Sequence, residues 1–152
     1  MPAGTSYWIE EGMLDHELRN TDLNKDGQVD HVCFTVRNQF LHPNHPLGWI
    51  RKLTVEIDGE DIPADQMYFV VRGQWISVEH MPTIRDIWWN MMEEAQICIK
   101  HRGLRTDKCF VTCSFEISLL MHASLLDLND LWPRLTLHLT ADMDVKEGGD
   151  GA

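Results

Sequence analysis

The sequence is short of positive charge, of cysteine and of long apolar runs, and each shortage removes a class of function. Its 13 Lys and Arg face 24 Asp and Glu, a net charge of −11. A surface of that sign repels nucleic acid and anionic membrane, so neither is expected as a partner. No apolar stretch approaches the roughly 20 residues of a bilayer-crossing helix. The start, Met1-Pro2-Ala3-Gly4-Thr5-Ser6, lacks the basic and apolar regions of a secretory signal, which points to the cytoplasm. Four cysteines, at 33, 98, 109 and 113, show no C-x2-C spacing, which argues against zinc and against a disulfide scaffold. Buried free thiols are expected, with all but Cys98 at inward strand positions. The chain also has no Gly-x-Ser-x-Gly elbow, no glycine-rich phosphate loop and no His-x-His followed closely by Glu. No complete catalytic set is legible.

What is present is a period of two. Val32, Phe34 and Val36 alternate with Thr35 and Arg37, and Leu53, Val55 and Ile57 with Thr54, Glu56 and Asp58. Asp58-Gly59 is a turn able to take positive φ. Met67 to Val71 reads as the next strand, with Gly73 as another turn, and Ile97 and Ile99 alternate with Cys98 and Lys100. The longest alternation runs from Val111 to Met121, and a last one from Leu135 to Ala141. Short helical turns are expected only at 82–86 and 125–131. Many one-sided strands must cover one another. The expected fold is therefore all-β, an antiparallel two-sheet β-sandwich of jelly-roll or immunoglobulin type with very little helix. One domain is expected over residues 1–145, followed by a flexible acidic, Gly-rich tail at 146–152.

Three constellations invite chemistry. Asp22-Leu23-Asn24-Lys25-Asp26-Gly27-Gln28-Val29-Asp30 matches the opening of a calcium loop, with Asp22, Asn24, Asp26 and Asp30 at ligand positions. The closing carboxylate position holds Cys33, and a strand follows where a helix belongs, so an acidic hairpin turn is the plainer reading. His42 and His45 lie in a segment stiffened by Pro43 and Pro46, which fits a loop pair better than a helical ligand pair. Trp88 and Trp89 are adjacent, so in a strand only one can enter the core. The other, with the stretch from Arg85 to Met91-Met92, is a candidate contact with another subunit, since Trp and Met are enriched in interface cores.

The order of these features is similar to one known family. The stretch Ile50-Arg51-Lys52-Leu53-Thr54-Val55-Glu56-Ile57-Asp58-Gly59-Glu60-Asp61-Ile62-Pro63 leads through Asp65 to Val70, Gly73, Met81-Pro82 and Asp86-Ile87-Trp88-Trp89. It continues through Ala95 to Ile99, Gly103-Leu104 and the long strand to Ser118. This order, with Leu18-Arg19-Asn20, the Gly27 turn and Val32 to Arg37 upstream, resembles the beta subunit of bacterial C-glycoside deglycosidases. The resemblance implies a β-sandwich bound to a TIM-barrel alpha subunit that carries a divalent metal, typically manganese. The complex would be a lyase cleaving the carbon–carbon bond between a 3-oxo sugar and an aromatic, flavonoid-type aglycone, with this chain inactive alone and without cofactor of its own. Here the segment 42–48 replaces the Tyr-Arg-Gly-like loop such subunits often carry. His42, His45 and Trp49 are accordingly the candidates for residues near substrate. Two alternatives stay open: a free carbohydrate-binding sandwich stacking sugars on Trp49 or Trp89, and a calcium-stabilised interaction module built on the Asp22–Asp30 turn.

Overall fold

The computed structural model describes residues 12–39, 44–118 and 134–147. Among the described residues eleven strands run in chain order: β1 (Glu17–Thr21), β2 (His31–Arg37), β3 (His45–Pro46), β4 (Ile50–Ile57), β5 (Glu60–Asp61), β6 (Met67–Val71), β7 (Gln74–Ser77), β8 (Trp88–Trp89), β9 (Glu94–Lys100), β10 (Lys108–Ser118) and β11 (Arg134–Glu147). Three short 3-10 helices lie at Leu47–Trp49, Ala64–Gln66 and Val78–Thr83, the last containing Pro82. The second helical turn expected from sequence, at 125–131, lies outside the described residues.

Alternation translates directly into burial. Along β10 and β11 every second residue is buried, and cross-strand partners on the inner face, such as Cys113 and Leu139 or Phe115 and Leu137, pack together. The turns follow from residues that tolerate the left-handed region. Asp58-Gly59 (φ 51° and 83°) and Arg72-Gly73 (φ 48° and 76°) both take positive φ at two successive positions, as a tight hairpin of matched twist requires.

The layer arrangement differs from the expected sandwich. Nine strands form one continuous hydrogen-bonded sheet, ordered β5-β4-β10-β11-β1-β2-β9-β6-β7, with β3 and β8 as a separate two-stranded ribbon. The sheet is mixed, because β1 pairs with β11 in parallel and with β2 antiparallel. It covers its apolar face by curling into a half-barrel. Strands β10 and β6 stand five places apart, about 24 Å in a flat sheet, yet one ring spans them. Trp89 meets Phe69 edge-on at 5.1 Å between centroids and Phe115 at 6.2 Å. Trp89 thereby plugs the open side of the curl, with Phe34, Leu18, Ile97 and Val111 in the same core.

Strand β11 continues through Lys146 and Glu147, which pair with Arg19 and Asn20. All four cysteines are buried free thiols. Cys33, however, sits opposite Cys98 in the β2–β9 register, on the face away from Val32 and Phe34. Burial pushes the Cys113 thiol up, and with help from Asp58 it lifts Cys109 to about 11, so these are inert packing groups.

Candidate functional site

Two of the segments singled out from sequence are joined to each other by backbone hydrogen bonds. Backbone amides of Leu47 and Gly48 donate to the carbonyls of Ile87 (2.9 Å) and Ile84 (2.7 Å). His45 then registers opposite Trp89, and Pro46 opposite Trp88, in the β3–β8 ribbon. The Arg51 guanidinium ties the two segments by donating to the carbonyls of Gly48 (2.8 Å) and Pro82 (2.9 Å). The segment 44–49 and the segment 82–92, separate in sequence, therefore form a single cap. His42 lies outside the described residues, and for His45 only the backbone is described.

Burial sorts the tryptophans. Trp89 is fully buried, and its indole Nε1 donates to the Glu93 carbonyl at 2.9 Å. It is a core residue, and the expected role at a subunit contact does not hold for it. Trp49 is 4% exposed and offers no ring face for stacking, so it can act near a substrate only by supporting the loop around it. Trp88 is half-buried and Arg85 exposed, which fits the rule that one ring of an adjacent pair enters the core. Met91 and Met92 beside them are 53% and 52% exposed. Two exposed methionines next to a half-buried Trp make an adaptable apolar patch.

A polar clamp holds this patch in place. Arg72, at the β6–β7 turn, donates through one nitrogen to the Glu93 carboxylate (2.5 Å) and through the other to the Trp88 carbonyl (2.6 Å). Glu93 also accepts from the Asn90 amide at 2.9 Å. Buried Asn38 donates its side-chain amide to the Trp89 carbonyl at 3.0 Å, and its own carbonyl accepts from Met92 at 2.7 Å. Asn44 Oδ1 accepts from the Met91 amide at 2.8 Å.

The Asp22–Asp30 turn turns its oxygens on its own backbone. Asp22 accepts from the amides of Asp26 (3.3 Å) and Gly27 (2.7 Å), and Asp26 from Gln28 (2.8 Å). Asp30 accepts from Leu23 and Asn24 at 3.0 Å each and contacts His31 Nδ1 at 2.8 Å. Among the described residues no three His, Cys, Asp or Glu side chains converge to hold a metal ion. Partial burial works against ionised Asp30, but the His31 contact and the two amides outweigh it and hold its carboxyl at about 2, below the ordinary 3.8. A depressed carboxyl contributes stability that is complete above the unfolded value and is lost as pH falls through the folded one. Thermal melts of the native chain should therefore fall steeply between about pH 4 and pH 2. In Asp30→Asn that part of the pH dependence should disappear; an unchanged acid limb would show that the turn is not anchored through Asp30.

One Ser–His pair lies elsewhere, on the outer face: Ser114 Oγ and His138 Nδ1 are 2.8 Å apart across β10 and β11. Among the described residues no carboxylate is hydrogen-bonded to His138, so the third, orienting member of a nucleophilic triad is missing. This chain holds no assembled catalytic set in its described part.

Comparison with known families places the chain. The family model for the C-glycoside deglycosidase beta subunit matches residues 10–117. The chain belongs to that family. No curated protein matches the chain. Family membership makes this C-glycoside deglycosidase beta subunit one component of an enzyme complex with at least one further subunit. The match encloses both segments of the cap, as well as the Asp22–Asp30 turn and β1 to β9. No helix among the described residues of this beta subunit is long and apolar enough to cross a membrane.

Proposed function

We propose that this beta subunit is the non-metal component of a heteromeric lyase that cleaves the carbon–carbon bond of 3-oxo-C-glycosides with flavonoid-type aglycones. The observation that carries the reading is the family match over residues 10–117. The acid/base residues and a divalent metal, manganese in this reading, belong to a TIM-barrel alpha subunit. The chemistry follows from the 3-oxo group, which acidifies the neighbouring sugar C–H. A base takes that proton, the electron pair forms the sugar double bond, the bond to the aglycone breaks, and the aglycone carbon takes up a proton.

The cap supplies the contact with the alpha subunit. Trp88, Met91, Met92 and Arg85 form the docking surface, and the adjoining segment 42–48, with His42 and His45, faces the substrate. The complex is a cytoplasmic bacterial assembly. Co-expression with the alpha subunit tests this. The two chains should co-elute, the beta subunit alone should give no turnover of a 3-oxo-C-glucoside, and Met91→Asp with Met92→Asp should weaken assembly by about tenfold or more. Full activity of the isolated beta subunit, or assembly unmoved by the double substitution, would overturn the reading.

A further inference from the structure

Among the described tryptophans the exposed one is neither Trp49 nor Trp89 but Trp75, 44% exposed on the edge strand β7. It stands at the end of a continuous cross-strand row on the outer face of the sheet: Thr35 pairs with Gln96, Gln96 with Val70, and Val70 with Trp75. A parallel row beside it carries the registered pair Arg37 and Glu94, whose side chains meet at 3.2 Å, and the Arg72-Gly73 turn. Between the rows runs an open groove of about 400 Å³, within the range of small-molecule sites. Leu23 forms its far wall, reaching in from the Asp22–Asp30 turn, where its amide is fixed on Asp30.

The Trp75 ring is held in place. His31 and Tyr68 each meet it edge-on with centroids 5.6 Å away, and the Lys100 ammonium lies 5.7 Å from the Tyr68 centroid. A fixed indole costs little to immobilise when a ligand stacks on it. The floor of the groove offers an amide at Gln96, a carboxylate at Glu94 and a hydroxyl at Thr35, so donors and acceptors lie together at one side of an aromatic plate. A ligand for such a groove needs a flat apolar face and a rim of hydroxyls. A pyranose ring has both. A plain aromatic would cover the polar floor without replacing its hydrogen bonds with water.

We propose that the Trp75 groove is a pyranose-binding site on the outer face of the sheet, separate from the cap formed by segments 44–49 and 82–92. The sugar stacks its C–H face on Trp75, and its equatorial hydroxyls bond to Gln96, Glu94 and Thr35. Nothing in this assignment requires the partner subunit or turnover, so its failure would leave the lyase reading standing.

The test is a ligand-observed NMR titration of the full 152-residue chain with methyl β-D-glucopyranoside, and in parallel with phenol. The sugar should bind saturably. Trp75→Ala should weaken binding about tenfold or more, Trp75→Tyr should largely keep it, and Gln96→Ala should weaken it while leaving the melting temperature unchanged. Phe110→Ala, exposed on β10 and outside the groove, should bind as the native chain does. Absence of sugar binding, binding undiminished in Trp75→Ala, or binding of phenol without the sugar would each overturn the proposal. Should Trp75→Ala fail to fold, Gln96→Ala carries the decision.

Discussion

Trp89→Ala is expected to lower the stability of the chain by about 3–5 kcal/mol, the range for removing a large buried aromatic. Three observations place it there. The ring is fully buried, it bridges Phe69 and Phe115 from opposite limbs of the curled sheet, and its Nε1 satisfies the Glu93 carbonyl. Truncation leaves a cavity between the limbs and removes one of the two donors to the Glu93 carbonyl, which also accepts from the Asn38 amide at 3.0 Å. With a shift of roughly 2–4 °C per kcal/mol for a chain of this size, the melting temperature should fall by about 10 °C. Trp88→Ala, one residue away and half-buried, should cost no more than about 1 kcal/mol. Thermal denaturation of the two variants side by side checks the division of labour within the pair. Equal losses would mean that Trp89 does not plug the curl.

Asn20→Asp should be nearly as damaging at neutral pH, about 3 kcal/mol, although it changes one atom of a side chain. Asn20 is 4% exposed and uses both ends of its amide. Its Oδ1 accepts from the Leu104 amide at 2.9 Å, while Nδ2 donates to the Leu104 carbonyl at 2.9 Å and to the Glu147 carboxylate at 3.2 Å. An introduced carboxylate would keep the acceptor but face a carbonyl and a second carboxylate with no proton to offer. Its folded-state pKa would be raised, so the loss should be largest above that value and shrink as pH falls and the group protonates. Asn20→Ala, which deletes the contacts without adding charge, should cost about 2 kcal/mol and show no such recovery. Melting curves for both variants from neutral to mildly acidic pH separate the two effects; matching pH dependence would mean that the amide's donor end is not essential.

The strands were legible wherever alternation was apolar on one side. Met67–Val71 has the expected bounds, and the cores of β2, β4, β9, β10 and β11 coincide with the expected alternations. Strand β1 was not legible from composition, because its inward positions are Leu18 and Asn20, and a polar residue hides the period. The number of sheets was beyond the pattern as well. Alternation says that one side of each strand is dry, but not which strands are neighbours, and here closure depends on a pairing between Leu18 and Val145. Of the site, the adjacent Trp88 and Trp89 differ in burial, the first half-buried and the second fully buried. Which was which depended on Phe69 and Phe115, 46 positions apart in sequence and joined only by the fold. The acidic turn read as a calcium-like loop because its spacing suits a cation, but the same oxygens also suit backbone amides, and a motif cannot distinguish the two.

Strand β1 has a consequence for the order in which the molecule assembles. It is the sole bridge between β11 on one side and β2 on the other, so the sheet consists of two limbs joined by five residues near the beginning of the chain. Its partner β11 comes last of the described strands, and the parallel pairing cannot form until β11 has left the ribosome. The β2-β9-β6-β7 limb can pair earlier, while β4 and β10 wait with a bare edge for β11. Such long-range closure is slow, and an exposed β10 edge in the interval is an invitation to wrong partners. Synthesis of this subunit should therefore carry a late, kinetically fragile step, and its yield should respond to chaperone supply and growth temperature more than its folded stability would suggest.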